Sequence, residues 1–288
     1  MIKLDKDTKV LIVGLGVMGG SYAKALSKRG YKISCITLEQ KDIDYALEHK
    51  MIEKGVTYPS PEFIGEADVI VMALYPHTFI EWIKENQKYM KSGAILTDVT
   101  GVKGCVVYEV QSLLRPDVEY IPAHPMAGRE RSGVEFSDDS VFRGANFIVT
   151  PTEKNTPEAI KFCKEFGKEL GFNKISELTP EEHDKMIAFL SQLTHCIAVT
   201  LMTCNTMPHL EKYTGDSFRD LTRIAKINDR MWSELFVSNK PALLEEIDAF
   251  EAELLKLRKY IEEGNIDDMR AMMRYSTERR SLFDKPAE

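Results

Sequence analysis

The chain changes its hydrophobic pattern near residue 150, and this change predicts two regions of different architecture. From Lys9 to about Thr150, short apolar runs alternate with helical stretches. These runs are KVLIV, KISCIT, DVIVMAL, AILTDV, EYIPAH and NFIVT. Strands that alternate with helices in this way build a parallel sheet with helices on both faces. The first region is therefore predicted to be an α/β domain with a mostly parallel, doubly wound sheet.

Beyond Pro151 the pattern is mainly helical. TPEAIKFCKEFGKELGF has a threonine cap, a proline in its first turn, apolar residues three and four apart and a terminal glycine, which is typical of one helix. A short extended piece, NKISEL, follows. A long helix from Thr179 is apolar over most of its circumference and should be buried between partners. With further helices at about 240–262 and 266–285, the chain is predicted to contain an α/β domain over residues 1–153 and an all-α domain over 154–288.

The first strand leads into a glycine motif. KVLIVGLGVMGGSYAKAL has three glycines at GxGxxG spacing between a strand and an amphipathic helix. Gly14 would allow a tight turn, Gly16 would let the backbone approach a pyrophosphate, and Gly19 would let helix and strand pack closely. The motif predicts a Rossmann dinucleotide-binding domain. The predicted cofactor-binding residues, in this loop and at later strand ends, are Gly14, Leu15, Gly16, Met18, Gly19, Thr37, Tyr75, Pro76 and Asp98.

The end of the second strand bears on the choice of cofactor. Thr37 stands where an NAD-binding sheet usually has an acid that binds the ribose, and Glu39 could act from two residues further on. NADP would favour an arginine there, and only Lys41 is near. The sequence therefore favours NAD and leaves NADP possible.

The segment AHPMAGRERSGVEF, which starts at Ala123, is predicted to be a loop because Pro125 and Gly128 interrupt it. It lies where the carboxyl end of a parallel strand would meet a nicotinamide ring and its substrate. His124 could accept a proton from an alcohol as hydride leaves the same carbon. The alternative is a loop histidine that only caps a turn.

Composition and charge argue against several classes of function for this chain. The 288 residues are 43% hydrophobic and carry a net charge of −7, with both signs mixed along the chain, so no basic face suggests nucleic acid or an anionic membrane. No apolar run is expected to reach the roughly 20 residues of a membrane span, and the N-terminus lacks the apolar core of a signal peptide. We expect a cytoplasmic protein. Its five cysteines show no CxxC pair, and no histidine and carboxylate cluster has metal-ligand spacing, so no metal is expected.

Five motifs together resemble those of the prephenate and arogenate dehydrogenases of tyrosine biosynthesis. They are GLGVMGGS, TDVTGVKG, HPMAGRERSGVEF, EEHDKMIAFLSQLTH and FRDLTRIAKINDRMW, in this order. The resemblance implies a Rossmann domain followed by a helical dimerisation domain. It also implies oxidative decarboxylation of a cyclohexadienol acid by a nicotinamide cofactor.

The resemblance assigns roles to individual residues. His124 falls on the catalytic histidine that hydrogen-bonds the ring hydroxyl. Glu130 falls on an acid at the active-site entrance. Arg223 falls on an arginine that binds the substrate carboxylate, and His195 matches a second substrate-facing histidine. In this reading prephenate is the expected substrate and arogenate the alternative.

The chain departs from the family pattern at two motifs. Where many relatives read DVGSVK, Gly101 replaces the serine expected near the catalytic histidine, and Thr100 could supply a hydroxyl instead. Where many read SHLPH, the chain has Gln192 for the first histidine and lacks the proline. These changes leave the reaction plausible and affect the expected substrate contacts.

Other interpretations stay open at this point. His183 and Asp184 are interpreted as residues of a helix first turn, the acid being favoured by the helix dipole. A β-hydroxyacid or imine oxidoreductase usually places a catalytic lysine on the long helix, and here only Lys185 stands near its start. A regulator that binds the dinucleotide without turnover is a further alternative. A homodimer is predicted, because the helices from Glu181 onward expose more apolar surface than one small domain could bury.

Overall fold

A computed structural model describes residues 4–128 and 131–284 of the chain. Six parallel strands form the main sheet in the order β3-β2-β1-β4-β5-β6. They are β1 (Lys9–Val13), β2 (Lys32–Ile36), β3 (Lys54–Val56), β4 (Val69–Met72), β5 (Ile95–Asp98) and β6 (Glu119–Tyr120). This order reverses direction beside β1, which opens a crevice at the carboxyl ends of β1 and β4. The prediction of a parallel, doubly wound sheet is confirmed.

The sheet is apolar on both faces because helices cover both of them. Ile12 on one face packs in a cluster with Tyr22 and Phe166, whereas Leu11 on the other packs in a cluster with Phe79. The helices of this half are α1 (Val17–Ser27), α2 (Gln40–Glu48), α3 (Pro61–Glu66), α4 (Pro76–Asn86), α5 (Val107–Leu113) and α6 (Pro157–Leu170). Burial on both faces explains why the strands read as continuous β-branched runs.

A second, three-stranded sheet corrects the prediction for the histidine segment. It contains β7 (Ala123–Pro125), β8 (Asn146–Val149) and β9 (Lys174–Glu177), with β7 antiparallel to β8. The prediction that this segment is entirely a loop is wrong over its first three residues. Proline is tolerated there because β7 is an edge strand, where one side of the backbone needs no partner. The NKISEL piece was correctly predicted to be extended.

Helix α6 begins and ends where its sequence predicts. The Thr156 side chain accepts a hydrogen bond from the Ala159 amide, and Pro157 occupies the first turn. Gly171 ends the helix with a φ of +106°, a left-handed conformation that suits glycine. Local signals alone therefore set both ends of this helix.

The long apolar helix is confirmed, with an unpredicted irregularity in its middle. It consists of α7 (Pro180–Ile187), a π-helical segment (Ala188–Leu193) and α8 (Thr194–Thr203). By length and composition this 24-residue stretch could cross a membrane, with a mean hydropathy of 1.5 and 28% of its apolar window buried. The expectation that no segment is apolar enough is therefore wrong. Core helices of other proteins pass the same test, so the finding is weak evidence for a membrane.

The remaining helices are α9 (Asp216–Thr222), α10 (Asp229–Ser238), α11 (Lys240–Glu262) and α12 (Ile266–Ser281). The chain divides into two compact units, residues 1–240 and 241–288. The second unit comprises α12 and nearly all of α11. The domain boundary predicted between residues 153 and 154 lies inside the first unit and stays a prediction.

Candidate active site

The glycine loop has the geometry that its sequence predicts. Gly14 has a φ of +94°, and a Cβ atom there would lie 2.4 Å from the Ala73 carbonyl oxygen. A Cβ atom on Gly19 would lie 2.0 Å from the Gly14 oxygen, whereas one on Gly16 would meet nothing within 4 Å. The tight turn and the close helix packing are thus confirmed. The open space at Gly16, before the first turn of α1, fits the pyrophosphate of a dinucleotide.

Residues after β2 border the same loop. The Thr37 hydroxyl accepts a hydrogen bond from the Leu15 amide, over 3.4 Å. The Leu15 side chain is buried and Met18 is half-buried, so Leu15 can offer a cofactor only its backbone. Glu39 is exposed at the start of α2. These positions suit the predicted cofactor site, and their contacts with a cofactor stay predictions.

The start of α4 is joined to α10. Tyr75 precedes the helix and Pro76 is its first residue. The Tyr75 hydroxyl accepts a hydrogen bond from Asn228 at 3.4 Å, and the His77 amide donates to the Glu234 carboxylate at 2.8 Å. The helical segment after residue 228 therefore lies against the cofactor end of the sheet.

His124 begins a chain of three polar side chains. Its Nδ1 lies 2.8 Å from Nε2 of His183, and Nδ1 of His183 lies 2.8 Å from a carboxylate oxygen of Asp184. The Asp184 carboxylate also accepts hydrogen bonds from the amides of Lys103 and Gly104. Strand β7, helix α7 and the loop after β5 thus meet at one point.

This arrangement fixes the tautomer of each ring. A carboxylate only accepts hydrogen bonds, so Nδ1 of His183 carries the proton that it donates to Asp184. Nε2 of a neutral His183 is then an acceptor, which makes Nδ1 of His124 the donor. The Nε2 atom of His124 is left with a lone pair. Among the ring nitrogens of His124 and His183, it is the one available to accept a proton.

The interpretation of His183 and Asp184 as first-turn residues is wrong. That turn is capped by Thr179 and Glu182, whose side chains bond each other's backbone amides. His183 is fully buried and Asp184 nearly so, because both point at the β7 and β5 loops. A histidine and an acid side by side at a helix start were the available signal. Their partners are 59 and about 80 residues away in sequence, which local patterns do not reveal.

A buried ion pair contacts the backbone next to His124. Lys103 and Asp98 are fully buried with Nζ 2.7 Å from the carboxylate, and Nζ also donates to the Ala123 carbonyl beside His124. Asp98 further accepts from the Tyr120 hydroxyl and from Thr100. The Asp98 side chain is thus bonded to protein groups, and its predicted contact with a cofactor stays a prediction. Lys103 is a neighbour of His124 that the sequence did not single out. The Thr100 hydroxyl is bonded within this group, to Asp98, Val102 and Lys103.

Burial favours the neutral form of both histidines, although His124 keeps part of its surface exposed. It is the largest cause that lowers the pKa of His124 well below 6.5, and His183 and Lys103 lower it further. Burial also lowers the pKa of His183, although the bond to Asp184 opposes this. The pKa of Lys103 is lowered by burial against the opposing effect of Asp98. A neutral His124 is the form that can take a proton.

The two sequence departures have structural explanations. A Cβ atom on Gly101 would lie 3.9 Å from Nε2 of His124, so position 101 borders this nitrogen. Gln192 is buried, where its amide donates to the Leu235 carbonyl and accepts from Asn239. Gln192 is therefore a structural residue of the helical region.

The predicted substrate-binding residues lie on the helical side. The His195 ring stacks on Trp232 with centroids 3.6 Å apart, and its Nδ1 donates to the Ser191 carbonyl. Arg223 is exposed in a 3₁₀ turn, Arg223–Ala225, that packs against α8. Glu130 lies outside the described residues. The helix of His195 and the turn of Arg223 are thus neighbours, as a shared substrate site requires.

Comparisons with known proteins agree on one family. A model described as the nucleotide-binding domain of prephenate dehydrogenase matches residues 22–176, and one described as its dimerization domain matches residues 179–275. Prephenate dehydrogenase of Bacillus subtilis is 29% identical over 271 residues, which cover 92% of this chain and 72% of the relative. Cyclohexadienyl dehydrogenase of Zymomonas mobilis is 28% identical, over 88% of each chain. The crystal structure of A. aeolicus prephenate dehydrogenase in complex with hydroxyphenyl propionate and NAD+ is similar with a TM-score of 0.90 at 31% identity, covering 98% of this chain and 100% of the other.

Proposed function

The chain belongs to the prephenate dehydrogenase family of NAD-dependent oxidoreductases, and from this premise we propose that it converts prephenate to 4-hydroxyphenylpyruvate. The reaction oxidises the carbon of the ring hydroxyl while the ring carboxylate leaves as carbon dioxide. Aromatisation of the ring supplies the driving force, and the protein supplies orientation and charge complementarity.

The observation that carries this proposal is the acceptor nitrogen of His124. Through His183, Asp184 holds Nδ1 of His124 as a donor, so Nε2 can accept the proton of the substrate hydroxyl. Burial lowers the pKa of His124 well below its ordinary 6.5, which favours the neutral ring. His183 and Asp184 are positioning residues in this scheme, and Thr100 acts through the buried Asp98 and Lys103 rather than by a bond to His124.

A bound nicotinamide dinucleotide supplies the hydride acceptor. Gly14, Gly16 and Gly19 would hold its pyrophosphate at the start of α1, where open space lies over Gly16. Thr37 and Tyr75 would border its remaining parts. The lack of an arginine after β2 favours NAD over NADP.

Arg223 and His195 are proposed to hold the substrate. Arg223 would bind the carboxylate of the substrate. Support comes from the packing of the Arg223 turn against the helix that carries His195. Glu130 is proposed to order the entrance. Prephenate is favoured over arogenate because relatives named prephenate dehydrogenase match at 29% and 31% identity. Initial rates with both substrates and both cofactors would test this choice.

The other functional classes are less well supported. A lysine-dependent hydroxyacid oxidoreductase would use Lys185, which is exposed in the last turn of α7. A regulator without turnover would not need an oriented proton acceptor beside the cofactor site, and His124 is one.

A homodimer in the cytoplasm is also proposed. Large apolar side chains are exposed along the helices of this chain, including Phe189, Leu190 and Met202 on the long helix. The family's dimerization domain matches this part of the sequence. A partner that covers these side chains would explain why the long helix is so apolar.

Replacement of His124 tests the central assignment. His124→Asn keeps a polar side chain and removes the base, so kcat should fall by about 10²- to 10⁴-fold with little change in KM. The variant should also lose the acid limb of the pH profile. A variant with near-normal kcat and the same acid limb would show that His124 is not the proton acceptor.

A further inference from the structure

Leu235 and the reactive nitrogen of His124 border the same small space. A Cβ atom built on Gly101 would lie 3.7 and 3.8 Å from the two methyl carbons of Leu235, and 3.9 Å from Nε2 of His124. Leu235 belongs to α10 and is 9% exposed. Because position 101 is glycine, this residue places no side chain between the leucine methyls and this space.

A buried amide network holds Leu235 in place. Gln192 donates to the Leu235 carbonyl at 2.9 Å, and Asn239 donates to the Gln192 side chain at 2.7 Å. The same Asn239 amide group donates to the backbone carbonyl of Asp184 at 2.9 Å. Leu235 is therefore tied to the helix that carries His183 and Asp184.

The two nitrogens of His124 thus face different surroundings. On the Nδ1 side lie the polar groups, His183 from α7 and Lys103 from the loop after β5, with Asp184 and Asp98 behind them. On the Nε2 side lie a bare glycine and leucine methyl groups. Methyl groups offer water no hydrogen bond, so a water there loses partners that it has in bulk solvent.

We infer that Leu235 is a positioning residue whose methyl groups, over Gly101, keep solvent away from Nε2 of His124 and reserve this nitrogen for the substrate hydroxyl. The inference rests on the proposed role of His124. His124 as a residue is half-buried, and burial is the largest cause of its lowered pKa. Excluding water from the acceptor also strengthens its interaction with the hydroxyl that enters.

Titration of the free, full-length enzyme tests the inference without catalysis. The histidine rings are followed by NMR, and the His124 signal is assigned by its loss in His124→Asn. In Leu235→Ala, water should reach Nε2, and the His124 titration should move up by about one pH unit toward 6.5. The acid limb of kcat/KM should move with it. Leu235→Met, which restores an apolar side chain, should titrate like the wild type.

Leu170→Ala is the matched control. Leu170 is the same residue type at the end of α6 and, at 1% exposed, is more deeply buried than Leu235 at 9%. Its replacement should leave the His124 titration unchanged. If Leu235→Ala does not fold, Leu235→Val should show a smaller shift in the same direction. An unchanged titration in the folded variant, or an equal shift in Leu170→Ala, would overturn the inference.

The same data separate this inference from the proposed function. If His124→Asn retains the acid limb and the wild-type kcat, the role of His124 fails. If His124→Asn loses both but Leu235→Ala titrates as the wild type does, only the role of Leu235 fails.

Discussion

Nδ1 of His124 lies 2.8 Å from Nε2 of His183, and this contact joins an edge strand of the small sheet to the long helix. Since Asp184 fixes the proton on the far side of His183, the contact determines which nitrogen of His124 can act as a base. The tautomer of the His124 ring therefore depends on a carboxylate that does not touch it.

Loss of the Asp184 charge should slow the reaction. An amide at this position can donate to His183 and allow the opposite tautomers, which leave a proton on Nε2 of His124. In Asp184→Asn, kcat should fall by about 10²-fold or more, within the contribution of a general base. Steady-state kinetics would measure this, with Glu181→Gln on the first turn of the same helix as control. Equal kcat values for Asp184→Asn and the wild type would contradict the proposal that Asp184 orients His124 through His183.

Stability should fall as the pH drops below about 6.5. The folded-state pKa values of His124 and His183 are lowered, so the unfolded chain takes up protons at a higher pH than the folded chain does. The stability contributed by the neutral rings is complete above 6.5 and is lost as the pH falls toward the folded-state values. Melting temperatures between pH 5 and 8 should show a steeper decline in the wild type than in His124→Gln. His209→Asn, at an exposed site with φ of +65°, should decline like the wild type.

Substitutions of two glycines in the cofactor loop should have different effects, one on stability and the other on NAD binding. Gly19→Ala places a methyl group 2.0 Å from the Gly14 oxygen, so it should lower the melting temperature of the cofactor-free protein. Gly16→Val meets no protein atom near its Cβ, so it should fold normally and bind NAD at least tenfold more weakly because its side chain occupies the pyrophosphate space. Thermal melting and NAD titration would separate the two effects. Normal NAD affinity in Gly16→Val would show that the loop is only a turn and does not approach the pyrophosphate.

Arg223 should act on binding more than on chemistry. Arg223→Ala would remove the proposed charge-assisted bond to the substrate carboxylate, worth about 1.5 to 3 kcal/mol, so KM should rise by roughly tenfold or more while kcat changes less. Arg219→Ala, on the preceding helix and paired with Asp216, is the control and should leave KM unchanged. A large fall in kcat with constant KM would place Arg223 in the chemical step instead.

The assembly should be a homodimer with twice the chain mass of 32.8 kDa. Phe250 and Leu254 lie one turn apart on α11 and are 39% and 54% exposed. Replacing both by glutamate should lower the mass measured by light scattering toward one chain, because two charges cannot be buried without partners. Glu251→Lys on the same helix should remain dimeric. A wild-type monomer at micromolar concentration would exclude the dimer.

The sequence by itself determined the features that depend on neighbouring residues. The turn at Gly14, the close packing at Gly19 and both ends of α6 follow from local backbone preferences, and all three agree with the structure. The alternation of apolar runs and helices determined the parallel sheet, since only a sheet covered on both faces buries such runs. His124 could be singled out because it ends the EYIPAH run, at the predicted carboxyl edge of the sheet.

Only the tertiary structure decided what surrounds His124. Residues 123–125 form a strand because β8 provides a hydrogen-bonding partner, and local sequence contains no trace of that partner. His183, Asp184 and Lys103 join the site because three distant segments fold together, and Leu235 reaches Gly101 from yet another. Burial then sets the charge state of the histidine, and burial is a property of the packed chain that no residue carries alone.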